Sequence, residues 1–418
     1  MIKKVAQIIL KWSAKIAIKR NGYKIVAITG SVGKTSTKKA VSLVLAEKYS
    51  VLAGEGEGYN TEIGVPLILI QKTVPKDKFG WIFLILFSPF LALKKRNYDF
   101  CVLEMGADKP GDIEYLTEIA KPDIAVVMNV FRVHLIEFKS IEDIAKEKEK
   151  ILSKLSSGGV AILNADNEYT REMKSPSGIE TITFGKKSTE VQVVKQEFDR
   201  KGSSNYFKVQ NKNIVIRSSS LGEHILYVFA CAIAVGISQK IEINQIIKAL
   251  ENFKPAKGRL NLIKGIKGST IIDDSYNANP ASMKNALDVL ENIDAKRKIA
   301  LLGSMNDLED FEEEEHKKIG THLGGKCDIL VTVGEAAKKY LAPASVAAGM
   351  KSGSVHSFET SVQAGGFLKE FIQKGDVVLA KGSQNKIRVE KAVKMIMKNP
   401  EDAPNVLCRQ GKEWEKRS

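Results

Sequence analysis

The run Thr29-Gly30-Ser31-Val32-Gly33-Lys34-Thr35 gathers a lysine, hydroxyl side chains and two glycines in one short stretch. An apolar run, Lys24 to Ile28, precedes it, and a helical pattern, Ser36 to Lys48, follows. Strand, glycine turn and helix form the setting in which backbone N–H groups cradle phosphate oxygens. The helix N-terminus adds its own preference for an anion. In such a cradle Gly30, Ser31, Val32 and Gly33 wrap the phosphates, Lys34 neutralises β/γ charge, and the Thr35 hydroxyl holds Mg²⁺. The common Walker pattern places a glycine five residues before Gly33; Ile28 stands there, so the loop is a shortened variant.

Other residues of chemical type lie where strands are expected to end. Glu104 closes the apolar run Phe100–Leu103, and a carboxylate at a strand's C-terminal end faces the ligand crevice of an open α/β sheet. It is a candidate metal ligand. His134 follows the next expected strand and is a second candidate ligand. Lys148 sits in Ile144-Ala145-Lys146-Glu147-Lys148-Glu149-Lys150-Ile151, which reads as a solvated charged helix face. Arg259 follows Gly258 at an expected domain boundary, where a guanidinium can grip phosphate bidentately. Asp273-Asp274-Ser275-Tyr276-Asn277-Ala278-Asn279-Pro280 runs from a strand into a helix. Its Asn279-Pro280 is also an N-cap signal, and its density of acids and amides suggests a ligand role. Lys381-Gly382-Ser383 ends a strand and can bind an anion.

These residues need elements to hold them. Apolar runs alternate with helical patterns at 100–103, 124–128, 160–163, 270–272, 299–302, 329–333 and 377–380. That alternation predicts an α/β protein with mostly parallel sheets. Residues 185–220 are polar, alternating and dotted with Gly and Ser, and read as a meandering β insertion. A boundary is expected near Phe253-Lys254-Pro255-Ala256. A length of 418 residues is too great for one core. The composition, 44% hydrophobic and 27% charged, is that of a globular protein. Cys101, Cys231, Cys327 and Cys408 lie far apart, which argues against a zinc site or a disulfide framework and for a reducing, cytoplasmic compartment.

The net charge of +15 implies anionic partners. No nucleic-acid-binding motif accompanies it, so nucleic acid is not expected among them. No acid occurs before Glu47, and Ile2, Val5, Ile9, Trp12 and Ile16 recur at helical spacing among lysines. Residues 1–22 therefore read as a basic amphipathic arm, suited either to a membrane surface or to packing on its own domain. Residues 79–96 contain the most apolar window, followed by Lys94-Lys95-Arg96. The window is shorter than the roughly 20 residues a bilayer span needs. It fits a membrane-interfacial segment or a buried helix.

Taken together, the motifs resemble the Mur ligase family, closest to the type that adds D-alanyl-D-alanine. The resemblance covers about Tyr23 to Val393 and rests on the 29–35 loop, Asn60-Thr61-Glu62-Ile63-Gly64-Val65-Pro66, Glu104-Met105-Gly106, His134, Asn164-Ala165-Asp166, Gly258-Arg259, the 274–280 run and Lys381-Gly382-Ser383. It implies a P-loop ATPase domain with a mostly parallel sheet (23–254) plus a C-terminal Rossmann-like domain (255–418), with an active site in a cleft that closes on ligand. The implied activity is ATP-dependent amide-bond formation in peptidoglycan precursor synthesis, through an acyl phosphate, with ATP and Mg²⁺. A muramoyl peptide would supply the carboxylate and an amine, D-Ala-D-Ala, would accept it.

The resemblance also assigns roles. Lys34 serves the phosphates, while Thr35 and Glu104 hold one Mg²⁺ and His134 a second. Lys148 matches a lysine whose carbamate bridges the metals. Arg259, Asp274 and Asn277 go to the nucleotide, and Asn60, Thr61, Asn279, Lys381 and Ser383 to substrate. Three departures stand out. Only about 22 residues precede the first ATPase strand, where the family carries a uridine-binding domain. Val228 occupies the family's adenine-side asparagine position, and Ser304 replaces an acid after Gly303. Two alternatives follow: the same chemistry on a lipid-linked, membrane-bound substrate, or a non-catalytic nucleotide-binding membrane scaffold.

Overall fold

The computed structural model describes residues 2–54, 58–75, 77–131, 137–306, 308–411 and 414, the side chains of Ile2, Lys3 and Glu309 excepted. The chain divides into two compact units. One comprises residues 1–195, 205–216 and 224–253; the other comprises residues 196–204, 217–223 and 254–418.

The first unit runs α1 (Ile2–Asn21), β1 (Lys24–Thr29), α2 (Lys34–Ala46), β2 (Val51–Ala53), α3 (Gly64–Leu69), α4 (Lys78–Ala92), β3 (Phe100–Glu104), α5 (Asp112–Ile119), β4 (Ile124–Val127), α6 (Ile141–Ser153), β5 (Val160–Asn164), α7 (Glu168–Glu172) and β6 (Glu180–Gly185). Then come β7 (Val191–Asp199), β8 (Gly202–Val209) and β9 (Lys212–Ser218), of which 196–199, 202–204 and 217–218 count with the second unit, and α8 (His224–Ser238) and α9 (Ile243–Glu251). Its sheet has the order β2-β3-β1-β4-β5-β6-β7-β8-β9, and every pairing from β2 to β7 is parallel. Strands buried on both faces must be apolar throughout. In β1, Val26 and Ile28 join the cluster that takes in Val41 and Val44 of α2 and Phe229 of α8. Ile25 and Ala27 join the opposite cluster, with Leu116 of α5 and Ile144 of α6. The expected β insertion at 185–220 forms β7 to β9, which extend the same sheet.

The direction of strand succession reverses at β1. From β1 the chain builds β2 and β3 on one side, then crosses to β4 and β5 on the other. In open α/β sheets the crevice outside the strands' carboxyl ends at such a switch point is where ligands bind.

The second unit carries β10 (Asn261–Lys264), β11 (Thr270–Asp273), α10 (Pro280–Asn292), β12 (Arg297–Gly303), α11 (Glu312–Leu323), β13 (Ile329–Val333), α12 (Ala342–Ala347), β14 (Val355–Phe358), α13 (Ser361–Phe371), β15 (Asp376–Lys381), α14 (Glu390–Ile396) and α15 (Ala403–Val406). Its sheet order is β10-β11-β15-β12-β13-β14. Only β10 pairs antiparallel. Ile272, Leu302 and Leu379 pack towards α10 and α11, and Ile271, Leu301 and Val378 towards α13 and α14. Ser304 and Ser383 thus follow neighbouring strands at one sheet edge.

Two sequence expectations need correction. The expected apolar stripe of α1 is not its buried face. Ala6, Leu10, Ser13, Ala14 and Ala17 are buried, whereas Val5 and Trp12 are exposed. Small residues let α1 pack closely against α3 and α4. Arg96 does not belong to a solvent-facing basic cluster either. It is buried, and its guanidinium donates to the carbonyls of Ile70 and Leu91, at 2.8 and 3.0 Å, so it fastens the end of α4. Lys94 and Lys95 remain exposed.

Candidate active site

The loop after β1 turns through Gly33, whose φ of 86° is left-handed, directly into α2. A β-carbon at Gly33 would have no atom within 4 Å, so the loop leaves room on that side. A β-carbon at Gly30 would come within 2.9 Å of Met128 Cβ, so glycine is required where the loop crosses the end of β4. Lys34 Nζ lies over the loop and donates to Gly30 O at 2.7 Å. Burial lowers its pKa, against the pull of Glu104 and Asp108. Thr35 Oγ1, in the first turn of α2, donates to Glu104 Oε2 at the end of β3, at 3.0 Å. A hydroxyl and a carboxylate oxygen beside a phosphate loop are the hard oxygen donors that Mg²⁺ takes, so these residues fit such an ion. His134, the candidate for a second ion, lies outside the described residues.

Asn60 joins this edge: its carbonyl accepts from Gly106 N at 3.0 Å. Thr61 holds its own turn, with Oγ1 donating to Gly58 O and accepting from Gly64 N. Lys148 is the clearest departure from the solvated-face reading. Ser140 caps α6 through Asp143 N, and the helix then turns Ile144, Lys148 and Ile151 inward at spacings of four and three. Burial pulls the Lys148 pKa down to about 7, and the charge of Lys34 pulls in the same direction. Lys148 is therefore an amine poised near neutrality beside the phosphate-loop lysine.

Asn129 escaped the sequence reading. Its side chain accepts from Val32 N at 2.9 Å and donates to Val32 O at 3.1 Å, while its carbonyl accepts from Ser31 N. It clamps the loop from the end of β4. Its signal was there, as a carboxamide placed just after a strand at the switch point, but it forms no motif.

In the second unit, Asp274 and Lys381 meet at the ends of β11 and β15. Lys381 Nζ lies 2.5 Å from Asp274 Oδ2, and both residues are buried. Lys381 also donates to Asn277 O at 2.9 Å, and Asp274 Oδ1 accepts from Leu260 N. Burial pushes the Lys381 pKa down, and the partner Asp274 opposes it. Asn277 Oδ1 and Asp273 Oδ2 are buried without a hydrogen-bond partner. Arg259 is exposed and stacks over the Tyr276 ring at 4.2 Å. Ser383 Oγ accepts from Asn306 N at 2.9 Å. Asn279 is the N-cap of α10, its oxygen accepting from Ser282 N, so that side chain is engaged in holding the helix start. Glu390, Arg388 and Arg409, also missed in the sequence, form a buried ion cluster behind this loop, with Arg409 donating to Tyr276 O at 2.7 Å.

Val228, at the position where an adenine-side asparagine was expected, is buried in the first unit's core. Its neighbour Tyr227 donates to Asp166 Oδ2 at 2.9 Å. Among the described residues, no helix is long and apolar enough to cross a membrane.

Comparison with known proteins places these features. The Mur ligase middle domain matches residues 28–236, and the Mur ligase glutamate ligase domain matches residues 258–384. A Bacillus subtilis UDP-N-acetylmuramoyl-tripeptide--D-alanyl-D-alanine ligase is 30% identical over 94% of this chain and 79% of its own length. The Mycobacterium tuberculosis H37Rv protein of the same name is 32% identical over 75% of this chain and 59% of its length. Among solved structures, Thermotoga maritima MurF in complex with ADP superposes with a TM-score of 0.76 at 26% identity, covering 95% of this chain and 84% of that one. An Acinetobacter baumannii MurF gives 0.75 at 28% identity, covering 90% and 78%.

Proposed function

The chain belongs to the Mur ligase family of ATP- and Mg²⁺-dependent amide ligases, and from that premise we propose that it joins the carboxylate of a muramoyl peptide to the amine of D-Ala-D-Ala. The observation that carries the reading is the pairing of Thr35 with Glu104 at 3.0 Å beneath the phosphate loop. The relatives named for this reaction support the choice of acceptor.

The reaction runs in two displacements. A carboxylate oxygen attacks the γ-phosphorus of ATP, the bond to the bridging oxygen breaks, and ADP leaves. The amine nitrogen then attacks the acyl carbon, the C–O bond to phosphate breaks, and the amine sheds a proton. Such phosphoryl transfer depends on positioning and electrostatics. The 30–33 backbone wraps the phosphates and Lys34 offsets their charge. Thr35 and Glu104 would hold Mg²⁺, which supplies charge neutralisation at the transferred group. Lys148, as a neutral amine, can add to CO₂ and release a proton to become a carbamate, whose negative charge Lys34 attracts. Arg259, Asp274 and Asn277 are assigned to the nucleotide, and Asn60, Thr61, Asn279, Lys381 and Ser383 to substrate.

Phosphate release tests this. We expect release from ATP to require both UDP-linked muramoyl tripeptide and D-Ala-D-Ala, and Lys34→Ala to slow it at least about a hundredfold. Equal rates in wild type and Lys34→Ala would overturn the assignment.

A further inference from the structure

Helix α4 is apolar on two opposite faces. Leu84, Ser88 and Ala92, spaced by four, are buried against the first unit. The seam includes a Ser13–Ser88 hydrogen bond of 3.0 Å to α1. On the other side Phe79, Ile82, Phe83, Leu86, Phe90 and Leu93 form a second stripe and are 56–83% exposed. Single exposed apolar residues are ordinary, but a contiguous stripe of this size marks an interaction surface.

The charges around the stripe are mainly basic, with Asp77 engaged as the N-cap of α4. Lys78 opens α4 and Lys94 and Lys95 follow it, and no Asp or Glu occurs from 78 to 98. The adjoining α1 exposes Ile8 and Trp12 among Lys4, Lys15 and Lys19, and it carries no acid either. Lys15 Nζ lies 5.8 Å from the Trp12 ring. Aromatic and aliphatic side chains ringed by lysines, on helices too short or too charged to span, are the pattern of an element lying in the headgroup layer. A second copy of this chain would set lysines against lysines, whereas an anionic bilayer complements both the apolar stripe and its charged border.

We propose that the exposed faces of α4 and α1 dock this protein on an anionic lipid bilayer, with the α4 stripe entering the headgroup region and the lysines contacting lipid phosphates. This goes beyond the ligase reading and does not depend on it.

Flotation of the full chain with vesicles tests the proposal. We expect the protein to float with phosphatidylglycerol–phosphatidylcholine vesicles and not with pure phosphatidylcholine, and tryptophan emission, to which Trp12 of α1 and Trp81 of α4 contribute, to shift to the blue on binding. Leu86→Ser/Phe90→Ser removes two exposed anchors and should weaken partitioning by at least about tenfold. Lys94→Gln/Lys95→Gln should weaken it about fivefold per lysine, an effect that salt mimics. Val362→Ser, at an exposed site in the second unit, should change nothing. Circular dichroism checks that each variant is folded. The proposal is overturned if the wild type stays with the dense fraction in anionic vesicles, or if binding survives Leu86→Ser/Phe90→Ser. It is equally overturned if gel filtration shows a dimer that this double change dissolves, since a second copy would then be the occupant.

Discussion

The Lys148 amine lies close enough to the phosphate-loop lysine for the charge of Lys34 to act on it. Buried, with its pKa drawn down to about 7 from 10.5 by desolvation and by Lys34, it loses its proton in the folded chain before it does so in the unfolded one. Between about pH 7 and 10.5 the unfolded state holds the extra proton, so unmodified Lys148 makes stability rise with pH across that window. Lys148→Met keeps the stem and removes the charge. We expect its melting temperature at pH 7 to equal or exceed that of wild type, while phosphate release is lost. A large fall in melting temperature would show a structural role instead. Asn129 acts through the loop that it clamps. Asn129→Ala leaves Val32 N and O without their partner, a loss on the order of 1–3 kcal/mol. It should therefore raise the KM for ATP about tenfold with kcat less affected.

At the level of elements, the neighbouring strands β11 and β15 bring Asp273, Asp274 and Lys381 into one buried edge. Burial raises Asp273 to about 7, and Asp274 adds to the effect. From about pH 4 to 7 the folded chain keeps a proton that the unfolded chain has released, so this carboxyl makes stability fall as pH rises through that window and level off above it. Asp273→Asn should flatten the slope in thermal melts recorded between pH 5 and 8; an unchanged slope would assign it to other groups. Asp274–Lys381 is a different case. Removing one partner strands a buried charge, whereas a fitted apolar pair need not destabilise. The α10 start shows how local and functional demands meet in one loop, because Asn279 caps the helix while Asn277, two residues earlier, keeps a buried oxygen unpartnered.

For the whole molecule, apolar packing is what closes the fold around the described sheets, and the Thr35–Glu104 pair is an edge feature of one of them. Chelation with EDTA should therefore abolish phosphate release while leaving the nucleotide-free melting curve unchanged. A shift in that curve would point to a structural ion.

The sequence by itself determined the α/β class, the seven parallel strands read from apolar runs, the phosphate loop and Glu104. These depend on near neighbours: hydrophobic period, glycine in a turn, and a strand running into a helix. The tertiary structure alone decided that Lys148 is buried, that Arg96 is inward, that Asn129 clamps Val32 and that α4 shows a second apolar face. Each of those depends on which way an element is rotated against partners far off in the chain. A charge pattern such as Ile144–Ile151 looks the same whichever face turns inward, and only packing against the sheet chooses.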